Sequence, residues 1–271
     1  MFSLGFSTIG CPDYDIDQVI DLATSNSLTG VELRFLQGTV DLASLEEFQP
    51  NRIGETRLRF TDQGLNVVCV DTSVRLISFD ESERRQQFEA ARTYAGIAEG
   101  LGAKYIRVFG GPIPEGQNRN ETLDAVARGL RRVSEESSAR GVQSLLETHD
   151  DMSTSASVID LYERGVGDNL GILWDTLHTY RHGESPEFTW SKIGDRVKHV
   201  HVKDSVSATA EGFDFALLGE GNIPIPSIIN VLNSANYGGF VHFEWEKGWH
   251  PEIAEPEIAI PHFAKYMAGL S

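Results

Sequence analysis

The stretch "VKHVHVKDS", residues 197–205, alternates polar and apolar side chains and then reaches an acid. The alternation predicts a β-strand with His199, His201 and Lys203 on one face and the intervening valines on the other. In a barrel strand, the apolar face packs on surrounding helices and the other face lines the interior. We therefore expect His201 to point inward as a functional group and His199, one inward layer below it, to be structural.

Seven further segments have the composition of strands and are bounded by turn-forming residues. The eight predicted strands cover residues 3–8, 29–35, 65–71, 103–109, 142–147, 170–175, 197–202 and 239–244. Helical periods occupy the intervals, and the clearest are Ile16, Val19, Ile20 and Ala23, then Phe88, Ala91, Ala95 and Ala98, then Leu123, Val126, Ala127 and Leu130.

Strands that alternate with helices predict parallel pairing through crossover helices. Eight repeats in 271 residues favour a single (β/α)8 TIM barrel, with residues 1–271 as one α/β domain. A doubly wound sheet is the alternative, but its Gly-rich phosphate turn is missing from "FSTIGCPDYD" after the first strand. Residues 205–224 form the longest non-periodic stretch, and we expect them as a loop on the active face.

Composition and charge limit the classes of partner and compartment. The formal net charge of −17 disfavours nucleic acid and anionic membrane surfaces as partners. No apolar run approaches the roughly 18 residues of a membrane helix, and the N-terminus lacks the features of a signal peptide. Two cysteines, Cys11 and Cys69, are too few for a disulfide framework and favour a reducing compartment. The sequence therefore predicts a cytoplasmic protein.

Four consecutive predicted strands end at, or one residue after, a residue that commonly binds metals. These residues are Glu147, Asp175, His201 and Glu244. Catalytic groups of TIM barrels lie at the carboxyl ends of the strands, so one shared metal site explains the set better than four separately solvated side chains. Three carboxylates and one imidazole suit Mn²⁺ or Mg²⁺, with Co²⁺ and Zn²⁺ as alternatives. Glu246 shares a face with Glu244, and the strand end favours Glu244 as the ligand.

Five strings resemble signatures of the xylose isomerase-like TIM barrel superfamily, which includes the sugar phosphate isomerases and epimerases. They are "LLETHD", "WDTLH", "HVHVKD", "LGEGNIP" and "GGFVHFEWE". The resemblance implies that the four strand-end residues bind the metal and that Glu147 and Glu244 are also the catalytic acid/base pair. It further implies that His178 contacts a substrate oxygen and that Lys203 occupies a recurrent position of the superfamily.

Further candidate substrate-binding residues lie near these strings. His149 follows Glu147 in "LLETHD", and Trp249 follows the eighth strand, where it could stack on a sugar ring or serve only in packing. Arginines that could grip a phosphate or carboxylate, or equally be structural, are Arg34, Arg75, Arg107 and Arg181. We expect Arg107 to contact the substrate.

The resulting hypothesis is a metal-dependent isomerase or epimerase that transfers a proton next to the carbonyl of a sugar, sugar phosphate or related polyol. The alternative is a dehydratase or lyase of a keto-inositol or keto-sugar with the same metal site. An apurinic-site nuclease is disfavoured, because "VELRF" and "VCVDTS" supply no histidines for the extra metals of that branch. The four-residue ligand set disfavours a non-catalytic binding barrel. By analogy with this fold, a homo-oligomer is expected.

Overall fold

The computed structural model describes residues 1–270, in which eight parallel strands close into a barrel. The barrel strands are β1 (Ser3–Ser7), β2 (Gly30–Leu33), β3 (Asn66–Arg75), β4 (Tyr105–Phe109), β5 (Gln143–Glu147), β6 (Gly171–Asp175), β7 (Val197–Val202) and β10 (Phe240–Phe243). An antiparallel hairpin, β8 (Asp204–Ala208) and β9 (Phe213–Ala216), follows β7. All eight predicted strands are confirmed, as is the single (β/α)8 TIM barrel.

The barrel closes because β1 pairs with both β2 and β10, so the two ends of the sheet meet. Around it lie α1 (Ile16–Ser25), α2 (Ile53–Thr61), α3 (Glu81–Leu101), α4 (Arg119–Ser138), α5 (Ser155–Glu163), α6 (Thr176–Arg181), α7 (Pro186–Ile193), α8 (Ile225–Ser234) and α9 (Pro256–Ala268). None of the helices within residues 1–270 is both long enough and apolar enough to cross a bilayer.

Local sequence signals explain where several helices begin and end. Asp15 caps α1 in a capping box, in which its side chain accepts from the Gln18 amide and the Gln18 side chain accepts from the Asp15 amide. Gly102 ends α3 with φ +74°, a left-handed conformation that a glycine adopts without steric cost. The first signal sets where α1 begins, and the second sets where α3 ends.

The core lies between the barrel and the helices. Val200 and Val202 are fully buried in it, as the alternation in β7 predicts. The helical period of α1 is also borne out, since its buried positions are the four predicted ones, Ile16, Val19, Ile20 and Ala23. With apolar side chains directed outward, the inner faces of the strands are left for polar groups.

The hairpin corrects the expectation of a structureless loop over 205–224. Small and polar residues in β8 hide its strand character, and a register shift between Ser205 and Ser207 interrupts its alternation. Asp204 explains why β7 stops at an acid. Its carboxylate accepts hydrogen bonds from the backbone amides of Gly219, Gly221 and Ile223, at 2.8–3.1 Å, and thereby ties the returning chain to the end of the strand.

Candidate active site

The carboxyl end of the barrel brings four predicted metal-binding side chains together. One donor atom from each of Glu147, Asp175, His201 and Glu244 lies within 4.8 Å of the others, and all four residues are buried. His201 Nδ1 lies 3.4 Å from Glu244 Oε1 and 4.0 Å from Glu147 Oε1, so both glutamates lie beside this nitrogen. Among residues 1–270, this nitrogen has no hydrogen-bond partner.

These four side chains meet although their strands are staggered. Asp175 pairs directly with His201, but Glu147 pairs with Leu173, two residues earlier on β6. Phe243 pairs with Val202, which sets Glu244 beyond the level of His201. Since TIM-barrel strands tilt by about 36° with a shear of eight, points at equal height advance by roughly one residue per strand. The tilt of the barrel, rather than equal register, thus creates the cluster.

Glu32 on β2 is a site residue that the sequence reasoning missed. Its Oε2 accepts hydrogen bonds from His201 Nε2 at 2.8 Å and from His199 Nε2 at 2.9 Å. A carboxylate on one imidazole nitrogen orients the ring and leaves the other nitrogen as a ligand. The sequence signal for it is an acid inside the apolar run of "VELRF".

Glu32 also belongs to a second, overlapping group of donor atoms. This group consists of Glu32, Asp71, His201 and Glu244, again within 4.8 Å of one another. Because Glu32 already accepts from two imidazoles, it has less capacity to bind an ion than Glu147 or Asp175. The free Nδ1 of His201 also lies beside Glu147 and Glu244. The donor chemistry therefore favours the first group for a metal.

Asp175 combines a structural and an electrostatic contact. Its Oδ1 accepts from the amides of Leu177 and His178, which caps the short helix α6. Its Oδ2 lies 2.8 Å from Lys203 Nζ. The cap explains why a strand ending in Asp is followed directly by a helix, and it leaves Oδ2 directed toward the cluster.

Lys203 is a fully buried cation among three carboxylates. Besides Asp175, its Nζ contacts Glu244 Oε2 at 2.5 Å and Glu246 Oε1 at 2.6 Å. Burial alone would lower the pKa of Lys203, but Asp175 and Glu244 hold it well above its ordinary value. Glu246 lies outside both donor groups of the barrel end, so the geometry favours Glu244 over Glu246 as the ligand.

Arg107 is a second buried cation of the site and joins two strands. Its Nη1 donates to Glu147 Oε2 at 2.5 Å and its Nη2 to Asp71 Oδ2 at 3.1 Å. Burial raises the pKa of Glu147 in spite of Arg107. Burial also acts to raise the pKa of Glu244, but Lys203 and His201 overcome it and hold that pKa well below its usual value. The two glutamates therefore experience opposite environments.

His178 and His149 form a neighbouring aromatic wall. Their ring centroids lie 4.5 Å apart, and Phe213 of the hairpin lies 5.8 Å from His178. Arg181 donates to His178 Nδ1 at 3.2 Å, while His178 Nε2 has no hydrogen-bond partner within residues 1–270. The hairpin thus covers the side of the site where these histidines lie.

A cavity of about 300 Å³ opens above the cluster. Glu147, Glu244 and Arg107 lie in its lining, together with His149 and Trp249. Trp249 is 51% exposed and packs edge-on against Phe35, with ring centroids 4.8 Å apart. Trp245, by contrast, is buried and stacks on Phe243, so its role is packing. The cavity is concave, polar and large enough for a small sugar-sized molecule.

The donor set fits a divalent ion. Three carboxylates and an imidazole are within reach of one point, and a buried imidazole nitrogen without a partner needs one. A family profile described as xylose isomerase-like TIM barrel matches residues 20–265. The chain belongs to this family.

Individual proteins that resemble this chain have low sequence identity to it. Their names point to two different reactions, dehydration and epimerisation. An inosose dehydratase of Lacticaseibacillus casei is 26% identical over 153 residues, which covers 51% of each chain. The chain thus spans about half the length of the curated relatives it matches. An L-ribulose 3-epimerase structure superposes with a TM-score of 0.82 at 19% identity, covering 100% of this chain and 94% of that one. The IOLI protein with a bound zinc atom superposes with a TM-score of 0.84 at 16% identity, covering 99% and 98%.

Proposed function

We propose that the protein is a divalent-metal-dependent isomerase or epimerase that transfers a proton next to the carbonyl of a sugar, sugar phosphate or related polyol. The observation that carries the proposal is that Glu147, at the end of β5, and Glu244, just after β10, both lie beside His201 Nδ1, at 4.0 Å and 3.4 Å. Two carboxylates that flank one ligand position can reach a bound substrate from different directions. One can remove a proton and the other can return it.

Four residues would hold the ion in this proposal, namely Glu147, Asp175, His201 and Glu244. Mn²⁺ is the ion that we expect from the oxygen-rich set, with Mg²⁺, Co²⁺ or Zn²⁺ as alternatives. Membership of an enzyme family with a zinc-containing fold neighbour supports a divalent ion. When bound, the ion would supply the positive charge that stabilises a developing enediolate oxygen.

The remaining candidate residues surround the space that a substrate would occupy. We assign substrate contacts to His178, Lys203, Arg107, His149 and Trp249. Lys203 brings positive charge to Glu244 and favours its ionised form, whereas Arg107 contacts Glu147 and only partly opposes the effect of burial there. Trp249 presents an exposed aromatic ring at the mouth of the cavity, where it would stack on a ring face of the substrate.

A dehydratase is the second candidate, and the curated inosose dehydratases favour it. Dehydration shares the removal of the proton next to the carbonyl and differs in the loss of a β-hydroxyl as water. A group must then protonate the leaving oxygen. His178 is placed for this role, since it is buried beside Asp175 and its Nε2 has no partner among the described residues.

One experiment separates the two reactions. Metal-loaded protein is incubated in D₂O with ketoses, ketose phosphates and keto-inositols, and products are analysed by mass spectrometry. A product of unchanged composition with one deuterium at the α-carbon identifies an isomerase or epimerase. A product that has lost one water identifies a dehydratase. If no member of the panel exchanges a proton, rearranges or loses water, the proposed function is refuted.

The cellular location is part of the same proposal. Cys11 and Cys69 are both buried and unpaired. Burial and Glu257 raise the pKa of the Cys11 thiol, which leaves it protonated and unreactive. Reduced cysteines agree with the cytoplasm, where small-molecule sugar substrates would be found.

A further inference from the structure

Arg34 is a buried guanidinium without a counter-ion. It follows β2, is only 5% exposed, and its Nη2 donates to Ser73 Oγ at 2.8 Å. Its Nη1 is buried and has no hydrogen-bond partner among residues 1–270. Within the same residues, Arg34 forms no ion pair with an Asp or Glu.

The other buried cations of the site are compensated. Arg107 pairs with two carboxylates and Lys203 with three. A buried charge without a partner is costly, and proteins normally avoid it. Burial and the nearby Arg107 lower the pKa of Arg34 to about 10, and Asp71 and Glu147, which form no ion pair with it, offset this only in part, so the group still carries its charge at neutral pH. Arg34 is therefore the exception that requires an explanation.

The position of Arg34 in the cavity explains why a buried charge is kept there. It lines the same cavity as Glu147 and Glu244, on the wall that also carries Arg75. The Arg75 side chain is about half exposed, and its nearest acid is Asp150, at 4.0 Å. The ring of Trp249 lies 5.8 Å from the Arg34 guanidinium carbon, a distance at which a cation–π contact is weak and does not replace a counter-ion. Two guanidinium groups thus line one cavity, and Nη1 of Arg34 leaves a donor unused there.

We propose that Arg34, assisted by Arg75 at the rim, is a subsite for an anionic group of the substrate, either a carboxylate or a phosphate ester. The planar fork of a guanidinium matches both groups. The substrate would then be a keto-polyol that carries an acidic group away from the reacting carbon, and neutral ketoses and inososes would be poor substrates. This inference rests on the proposed function of the cavity as the active site.

The test compares charged and neutral probes on the full-length, metal-saturated protein. Binding of inorganic phosphate, glycerate, glycerol 3-phosphate and glycerol is measured by isothermal titration calorimetry for the wild type, Arg34→Gln and Arg34→Lys. Arg140→Gln is the matched control, because it removes the same charge at a surface pair with Glu99, outside the cavity lining. Circular dichroism checks that each variant is folded.

We expect Arg34→Gln to weaken binding of the preferred anion by about tenfold or more, with Arg34→Lys intermediate and Arg140→Gln unchanged. Glycerol binding should be the same in all four proteins. Comparison of glycerate with the two phosphates identifies which acidic group is preferred. Equal anion binding by the wild type and Arg34→Gln, or no anion binding by the wild type, would overturn the subsite.

Failure of this subsite and failure of the proposed function give different results. A protein that exchanges the α-proton of neutral ketoses and ignores anions retains the proposed function without the subsite. A protein that binds anions through Arg34 but exchanges no α-proton with any ketose, acidic or neutral, retains the subsite and loses the proposed function.

Discussion

Glu32 Oε2 accepts a hydrogen bond from His201 Nε2 at 2.8 Å, across the interior of the barrel. Glu32 is 169 positions from His201 in the sequence and 167 positions from His199, which shares this oxygen. The contact requires the proton of neutral His201 to reside on Nε2, which leaves Nδ1 facing Glu147 and Glu244. Glu32 is therefore the residue that directs the imidazole toward the proposed metal.

Loss of the Glu32 charge should weaken metal binding without removing a ligand. We expect Glu32→Gln to lower the affinity for Mn²⁺ or Zn²⁺ by about 10–100-fold, the usual effect of removing a partner of a metal-binding histidine. Competition with a chromophoric chelator measures the affinity, and ¹⁵N NMR of the imidazoles reports the tautomer. Glu55→Gln, at an exposed position, is the control. An unchanged affinity together with an unchanged tautomer would show that Glu32 has no such role.

Removal of a proposed ligand should abolish stoichiometric metal binding. The purified protein should hold about one divalent ion per chain, whereas Asp175→Asn and His201→Ala should hold little, because an incomplete set of ligands binds weakly. Asparagine is chosen at 175 because it can still cap α6. Elemental analysis measures the content, with exposed His182→Ala as control. Full occupancy in both ligand variants would contradict the assignment.

The two glutamates proposed as proton carriers should be separable from their neighbour Glu246. We expect Glu147→Gln and Glu244→Gln to bind substrate but to turn over at least about a hundredfold more slowly, since an amide cannot act as a carboxylate base. Glu246→Gln, which removes only a contact to Lys203, should have a much smaller effect. Deuterium exchange in metal-saturated variants is the measurement. Wild-type exchange rates in both variants would transfer the role to Glu246 or His178.

Two tryptophans that follow the same strand should respond in opposite ways. Trp249→Ala should raise KM with little change in kcat, because its ring is half exposed at the cavity mouth. Trp245→Ala should instead cost about 3–5 kcal/mol of unfolding free energy, as expected for a buried ring. Steady-state kinetics and urea denaturation test the pair. Unchanged kinetics in Trp249→Ala would return that residue to ordinary packing.

The architecture was predictable because it depends on short-range patterns. The alternation in β7 and the helical period of α1 arise because the apolar side chains of each element are buried on one face. The strand-end positions of Glu147, Asp175 and Glu244 were predictable for the same reason, since the strand boundaries are marked by turn residues. The hairpin β8–β9 is not predicted from the sequence, because β8 consists mostly of small and polar residues and β9 is only four residues long.

Contacts between side chains that are distant in sequence depend on the closed, tilted barrel and could not be predicted from local patterns. Glu32 meets His201, and Lys203 meets Glu244 and Glu246, because the barrel closes and its strands tilt. The stagger between neighbouring strands determines which carboxylate reaches the cluster, and periodicity along one strand carries no information about it. Local sequence patterns are therefore sufficient to predict the barrel and the residue types at its carboxyl end. Closure, tilt and stagger decided which of those residues touch and left Arg34 buried without a counter-ion.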